Sequence, residues 1–116
     1  MEEGQTKVMF NINYTQGDIK HIKPPVSSFL VCIHGCNEAN LCVLKISKEK
    51  KAGWAVMPCC IRDGMYGPNF HSVDDDSRHA LACGIIVGIN NALKVSSINK
   101  LITNRNIIIM GDNSIK

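Results

Sequence analysis

Two short apolar runs in the chain each end in a polar turn that carries cysteine. Residues 28–33 lead into His34-Gly35-Cys36, and residues 54–57 lead into Pro58-Cys59-Cys60. An apolar run of this length is typical of a buried strand, and open α/β sheets bind their ligands at the carboxyl ends of parallel strands. We therefore expect any functional site at these two strand ends.

The composition is that of one small globular domain. The chain has 116 residues, of which 45% are hydrophobic and 20% charged, and a net charge of +3 that indicates no particular partner. Of its six cysteines, four lie within or beside apolar runs, where free cysteine behaves as a small hydrophobe. We expect reduced thiols and, since the start of the chain has no signal-peptide pattern and no apolar stretch is long enough to cross a membrane, an intracellular protein.

The pattern along the chain predicts the order strand, strand, helix, strand, helix, strand. Strands are expected at residues 7–14, 28–33, 54–57 and 106–110, and helices at 38–51 and from 74–76 to about 93. Asn37 and Asp76 are expected to cap the helices, and Gly53 to supply the left-handed exit from the first. Residues 60–71 are long enough for a substrate loop. The alternation predicts an α/β domain with a mostly parallel sheet.

Several motifs in this order resemble a known family. The chain is similar to the second half of a class I S-adenosylmethionine-dependent methyltransferase, of the branch with His-x-Cys after strand 4 and Pro-Cys-Cys after strand 5. That branch is itself similar to tRNA ribose methyltransferases. The resemblance covers about residues 8–110, and it is carried by Gly17-Asp18-Ile19, Pro24-Pro25, His34-Gly35-Cys36-Asn37-Glu38-Ala39, Pro58-Cys59-Cys60, Asp75-Asp76-Ser77-Arg78-His79-Ala80 and Thr103-Asn104-Arg105.

The resemblance implies both a fold and a site. It implies a partial Rossmann-like methyltransferase sheet, a single domain over residues 1–116 that lacks the first strand–helix units and with them the cofactor-binding half. Asp18 and Ile19 would lie beside the adenine of S-adenosylmethionine, with the carboxylate accepting the exocyclic amine. His34 would border the cofactor and, with Cys36 and Cys59, form the catalytic set. The acceptor would be an RNA or a small molecule, and His34 is the candidate base because its ordinary pKa suits neutral pH.

The sequence departs from the family pattern in two places. Ala39-Asn40-Leu41 stands where the family has Ala-Thr-Asp, and no Gly-x-Gly occurs in the chain. This fold uses a glycine-rich turn after its first strand to hold the cofactor, and that turn would precede Met1. We therefore expect weak or no affinity for S-adenosylmethionine and no methylation by the isolated chain. A non-catalytic pseudoenzyme or interaction module is the alternative function.

Other chemistry at the two turns is less well supported. His34 with Cys36, Cys59 and Cys60 could bind zinc, but Cys-x2-Cys spacing is absent, so no metal is expected. A nucleophilic Cys59 would need contact with His34 and an oxyanion site, which spacing does not show.

Three further patterns also have simple structural explanations. Helix capping accounts for the carboxylates of residues 74–76, where a divalent metal site is the alternative. A solvated helix end accounts for the lysines between 45 and 51, where RNA contact is the alternative. Close packing of a helix on the sheet is expected at Gly84 and Gly88, where a membrane dimerisation motif is the alternative.

Half a sheet should also leave apolar surface uncovered. Phe10, Leu30, Val31, Ile107 and Ile109 are expected to be partly exposed, and each large apolar side chain left in water forgoes roughly 1.5–3 kcal/mol. Self-association through these uncovered faces is therefore expected.

Overall fold

A computed structural model describes residues 7–9, 12–14, 16–25, 27–35, 38–59 and 73–114 of the chain. They form a mixed α/β fold with a four-stranded open sheet and two helices. In chain order the elements are β1 (Lys7–Met9), β2 (Ile12–Tyr14), a short 3-10 helix (Ile19–His21), β3 (Phe29–Ile33), α1 (Glu38–Glu49), β4 (Gly53–Met57), α2 (Asp75–Ile89), β5 (Lys94–Ser97) and β6 (Ile107–Asp112). The large sheet has the order β3-β4-β6-β5.

The strands β3 and β4 form the predicted parallel pair. Phe29 lies opposite Gly53 and Ile33 opposite Met57, so the two strands begin and end together. The crossover between them is α1, because parallel neighbours need a connection long enough to return the chain to the same end of the sheet. As a result, the two polar turns after these strands lie side by side.

The prediction of a mostly parallel sheet is wrong. β4 pairs with β6, and β6 pairs with β5, in the antiparallel sense, so only one of the three neighbouring pairs is parallel. The link from β5 to β6 spans only residues 98–106, which is too short for a helical crossover and therefore reverses the chain. The last strand enters between β4 and β5, while β3, β4 and β5 all run in the same direction.

The core lies between one face of this sheet and the two helices. Trp54, Val56 and Ile109 from the sheet pack with buried side chains of α1 and α2, and Trp54 and Ile109 are completely buried. The helical members of this cluster are Val43, Leu44, Cys83 and Ile86. Because side chains alternate across a strand, the cross-strand partners Leu30 and Cys32 also face the helices.

The helix ends differ in detail from the prediction. Asp74, not Asp76, caps α2, because its carboxylate accepts the backbone N–H of Ser77 at 3.1 Å. Hydrogen bonds from Ser77 hold the pKa of Asp74 below its ordinary value. Lys51, not Gly53, has the left-handed backbone after α1, with φ of 53°, and Gly53 is already the first residue of β4. Asn37 lies outside the described residues.

Two other local predictions also need correction. Residues 7–14 are not one strand, since β1 and β2 pair antiparallel, with Lys7 opposite Tyr14. Gly84 and Gly88 do not serve close packing, because both are exposed and a Cβ at either position would meet nothing within 4 Å.

Within the described part of the chain, neither helix has the length and apolar character needed to cross a bilayer.

One face of the edge strand β3 is uncovered. Phe29, Val31 and Ile33 alternate along the strand and are 58%, 59% and 68% exposed, on the face opposite the helices. The expectation of partial exposure is confirmed for Val31, and also for Leu30 and Ile107, which pack against the edge of the core. It is wrong for Ile109, which is fully buried beneath the helices. Phe10 lies outside the described residues. Self-association through this face stays a prediction.

Candidate functional site

The two cysteine-bearing turns meet at the carboxyl ends of β3 and β4. The backbone N–H of His34 donates to the carbonyl of Met57 at 2.8 Å, and the Cys59 thiol donates to the carbonyl of His34 at 3.3 Å. The expectation that these turns are neighbours on one rim of a parallel pair is confirmed. We call His34, Pro58 and Cys59 the rim.

His34 has an unusual backbone conformation at this rim. Its φ is 53°, in the left-handed region that few residues other than glycine, asparagine, aspartate and histidine enter, and the residue is exposed. Backbone of this kind is enriched at functional sites when the surroundings hold it in place. Here the backbone of His34 is held in place at its N–H by the hydrogen bond to Met57 and at its carbonyl by the hydrogen bond from Cys59.

Asn40 holds the backbone that follows His34 of the rim. This residue of the first turn of α1 is completely buried, and its amide Nδ2 donates to the carbonyl of Gly35 at 2.7 Å. A Cβ on Gly35 would collide with the Cys32 sulfur and lie 2.9 Å from Asn40 Oδ1, so only glycine fits there. Oδ1 itself has no hydrogen-bond partner among the residues the structure describes. Asn40, at one of the positions that departs from the family pattern, is thus a structural support for the His34 turn.

A histidine of α2 joins the other side of the rim. His79 is buried, and its Nε2 lies 3.1 Å from the carbonyl of Pro58 and 3.6 Å from the sulfur of Cys83. Burial is the main reason that the pKa of His79 is lowered, and burial raises the pKa of the Cys83 thiol to about 11. Near neutral pH both groups are therefore uncharged, and Cys83 is not an activated nucleophile.

A cleft of about 440 Å³ opens next to His79. It lies between the first turns of α2 and the link from β5 to β6, at the same end of the sheet as the rim. Its charged residues are Asp76, Lys100 and Arg105, and Arg105 Nη1 contacts Asp76 Oδ1 at 2.9 Å. We call this the α2 cleft.

The predicted adenine contacts lie elsewhere. Asp18 caps the 3-10 helix by accepting the N–H of Lys20 at 2.9 Å, and Ile19 packs against the core. Lys20 shares a groove with residues 42–49 of α1, and Ile46 in that groove is about 12 Å along the helix from Glu38. His34 precedes the opposite end of α1. Lys20, two residues after Asp18, therefore lies beside a part of α1 away from the end that follows His34. The adenine contacts of Asp18 and Ile19 stay a prediction.

Cys36 and Cys60, and the predicted substrate loop at 60–71, lie outside the described residues. Among the residues that the structure does describe, no group of three or more His, Cys, Asp and Glu side chains is arranged to hold a metal ion.

The sequence patterns do not indicate His79, Cys83 or Arg105 as site residues. A usable signal existed for the first two, because residues four apart on a helix share a face. The sequence has no such signal for Arg105. Its contact with Asp76 arises only because the link from β5 to β6 lies over the start of α2.

The buried state of His79 predicts a pH dependence of stability. Unfolding returns His79 to its ordinary pKa near 6.5, so just below that pH the unfolded state binds more protons than the folded state. The free energy of unfolding should therefore be highest above pH 6.5 and decrease as the pH falls below that value. Urea unfolding at about pH 7.5 and about pH 5.5 measures this loss. His79→Gln should reduce it, whereas His21→Gln, at an exposed position, should not.

Comparison with models of protein families found no match, and comparisons with curated proteins and with solved structures found no significant similarity.

Proposed function

We propose that this chain carries the acceptor-side half of a class I methyltransferase fold and does not itself bind the methyl donor. In this proposal the rim borders the methyl-transfer cleft, and His34 and Cys59 contact the acceptor. The observation that carries the proposal is the contact between the two turns, because His-x-Cys and Pro-Cys-Cys are the motifs on which the resemblance rests.

The sheet supports this proposal in part. β3, β4 and β5 run in one direction with a helix after each of the first two strands, which is the pattern of successive strand–helix–strand units on one face of an α/β sheet. Such sheets often include one antiparallel strand, the role that β6 has here. The rim and the α2 cleft both lie at the carboxyl ends of the parallel-running strands, where such folds bind their ligands.

The position of Asp18 argues against a donor site within the described residues. Its carboxylate accepts the N–H of Lys20 in a local cap, and Lys20 shares a groove with residues 42–49 of α1, whereas the rim precedes the start of that helix. The side chains at the rim can line and orient an acceptor, and His34 would be the general base if the acceptor needs one.

A second candidate function is that of a non-catalytic interaction module. The uncovered face of Phe29, Val31 and Ile33 favours it, because a contiguous apolar surface of this kind commonly marks an interaction site. The two candidates differ in whether the rim ever meets a methyl donor.

Calorimetric titration with S-adenosylmethionine tests the proposal. We expect no heat of binding at ligand concentrations up to about 1 mM, the weak end of specific affinity. Saturable binding at micromolar concentration would contradict the proposal, because it would require a donor site within this chain. Asp18→Asn is the matched variant, since loss of any binding in that variant would show that the resemblance places the adenine correctly.

A further inference from the structure

We propose that the α2 cleft binds a phosphate group through Arg105 and Lys100, and that Asp76 occupies Arg105 until the phosphate displaces it. This inference is independent of the methyltransferase proposal, because it rests only on the charges and contacts of the cleft. The ligand class is a phosphate ester, whose organic part occupies the remainder of the cleft.

The side chain of Arg105 is held in place before any ligand arrives. It is only 20% exposed, and its backbone N–H donates to Thr103 Oγ1 at 3.1 Å. The next residue, Asn106, is buried and donates from Nδ2 to the carbonyl of Ile98 at 2.8 Å, which ties the two ends of the link together. A guanidinium positioned in this way presents a planar set of donors that matches two oxygens of a phosphate.

The carboxylate that contacts Arg105 is easy to displace. The Asp76 side chain is 82% exposed and does not cap α2, since Asp74 does. An ion pair with so exposed a partner contributes only about 0–1 kcal/mol, so a ligand that makes two hydrogen bonds to Arg105 can replace it. Asp76 therefore keeps Arg105 paired in the absence of ligand without blocking the cleft.

The charge and size of the cleft favour a phosphate over a simple carboxylate. With Asp76 displaced, the walls present Lys100 and Arg105, and the buried His79 adds no third charge near neutral pH. Two cations match the charge of roughly −1.5 to −2 on a phosphate monoester, whereas a carboxylate carries a single charge. The volume of about 440 Å³ is within the usual range for small-molecule sites and exceeds what phosphate alone would fill. Asn104 and Ser97 supply uncharged polar groups for the rest of the ligand.

Titration with inorganic phosphate, followed by NMR at constant ionic strength, tests this inference. Saturable shifts are expected in residues 97–107 and in the first turns of α2. Asp76→Asn should tighten phosphate binding by up to about fivefold, because the competing carboxylate is gone. Arg105→Gln should weaken binding about tenfold or more, and Arg105→Lys, which keeps the charge but loses the planar donors, should lie between.

Asp75→Asn is the matched control. Asp75 lies in the same turn of α2 and its side chain is 80% exposed, but its ionic contact is with Arg78 at 3.8 Å and not with Arg105. Its replacement should leave phosphate affinity unchanged. Equal tightening by both aspartate variants would overturn the displacement mechanism, since it would show only a change in net charge.

Two further results would overturn the site itself. One is a wild-type response to phosphate that does not saturate or is the same with chloride; this titration needs no variant and decides the matter even if Arg105→Gln fails to fold. The other is binding of acetate as tight as that of phosphate, which would remove the assignment to phosphate. Ribose 5-phosphate binding more tightly than inorganic phosphate would support use of the whole cleft.

Discussion

Replacement of Trp54 by alanine should lower the free energy of unfolding by about 3–5 kcal/mol, a large part of the stability of a domain this size. The side chain is completely buried in the centre of the sheet and belongs to the cluster that includes Val43, Ile86 and Ile109. Its removal would leave a cavity that both helices border, so neither helix alone can close it. Chemical denaturation monitored by circular dichroism measures the loss.

Two variants separate this packing effect from other causes. Trp54→Phe should cost much less than Trp54→Ala, because it keeps most of the ring, and Nε1 has no hydrogen-bond partner among the described residues. Leu101→Ala should change stability by no more than about 0.5 kcal/mol, since Leu101 is 93% exposed. A loss at Leu101 equal to that at Trp54 would show that the core has been wrongly located.

Gly111→Ala should destabilise the protein by about 1–3 kcal/mol or more, although it adds a single methyl group. Gly111 lies opposite Trp54 across β4 and β6, and a Cβ there would overlap the indole ring and lie 2.7 Å from Nε1. The ring is enclosed on all sides and has no room to move away. Thermal or chemical unfolding measures the loss.

The helix glycines provide the contrasting substitution. At Gly84 a Cβ meets nothing within 4 Å, so Gly84→Ala should stabilise α2 by about 0.5–1 kcal/mol. The gain arises because alanine loses less backbone entropy than glycine when the chain folds. The cause at Gly111 is tested in a double variant, because Gly111→Ala should cost clearly less when Trp54 is already alanine. An unchanged cost in that background would mean that Trp54 is not what excludes the methyl group.

The strands and helices that bury a full face were predictable from the sequence. β3, α1, β4 and β6 have enough apolar residues that their positions followed from periodicity to within a few residues. The parallel pairing of β3 with β4 also followed, because only a long connection separates them. The contact between His34 and Cys59 was therefore within reach of sequence reasoning.

β5 was not predictable in the same way. All four residues of Lys94–Ser97 are exposed, so this edge strand carries no burial pattern and is defined only by its pairing with β6. β6 runs antiparallel because the link from β5 to β6 is short. The length of that link is not apparent from the sequence, since β5 itself could not be predicted. Pairing is a tertiary property, and local sequence specifies it weakly when one strand is polar.

One part of the candidate site could be predicted from the sequence and the other could not. The rim follows directly from two strand ends, whereas the α2 cleft depends on the β5–β6 link lying over the start of α2. Arg105 meets Asp76 across 29 positions in sequence, and no periodicity connects them. The local cap at Asp18 was likewise not predicted, although a short polar side chain that accepts a nearby backbone N–H is common at the start of a helical turn.

The insertion of β6 between β4 and β5 also determines when the domain can assemble during synthesis. As the chain leaves the ribosome, β3, α1 and β4 can already pack against one another, but β5 emerges before β6, its partner among the strands that the structure describes. Among the described strands, β5 has no neighbour until residues 107–112 have left the ribosome, and β4 keeps an open edge for the same interval. A ribosome that stalls ahead of Ile107 would therefore hold a nascent chain whose central strand is available to wrong partners, a situation in which a chaperone would bind.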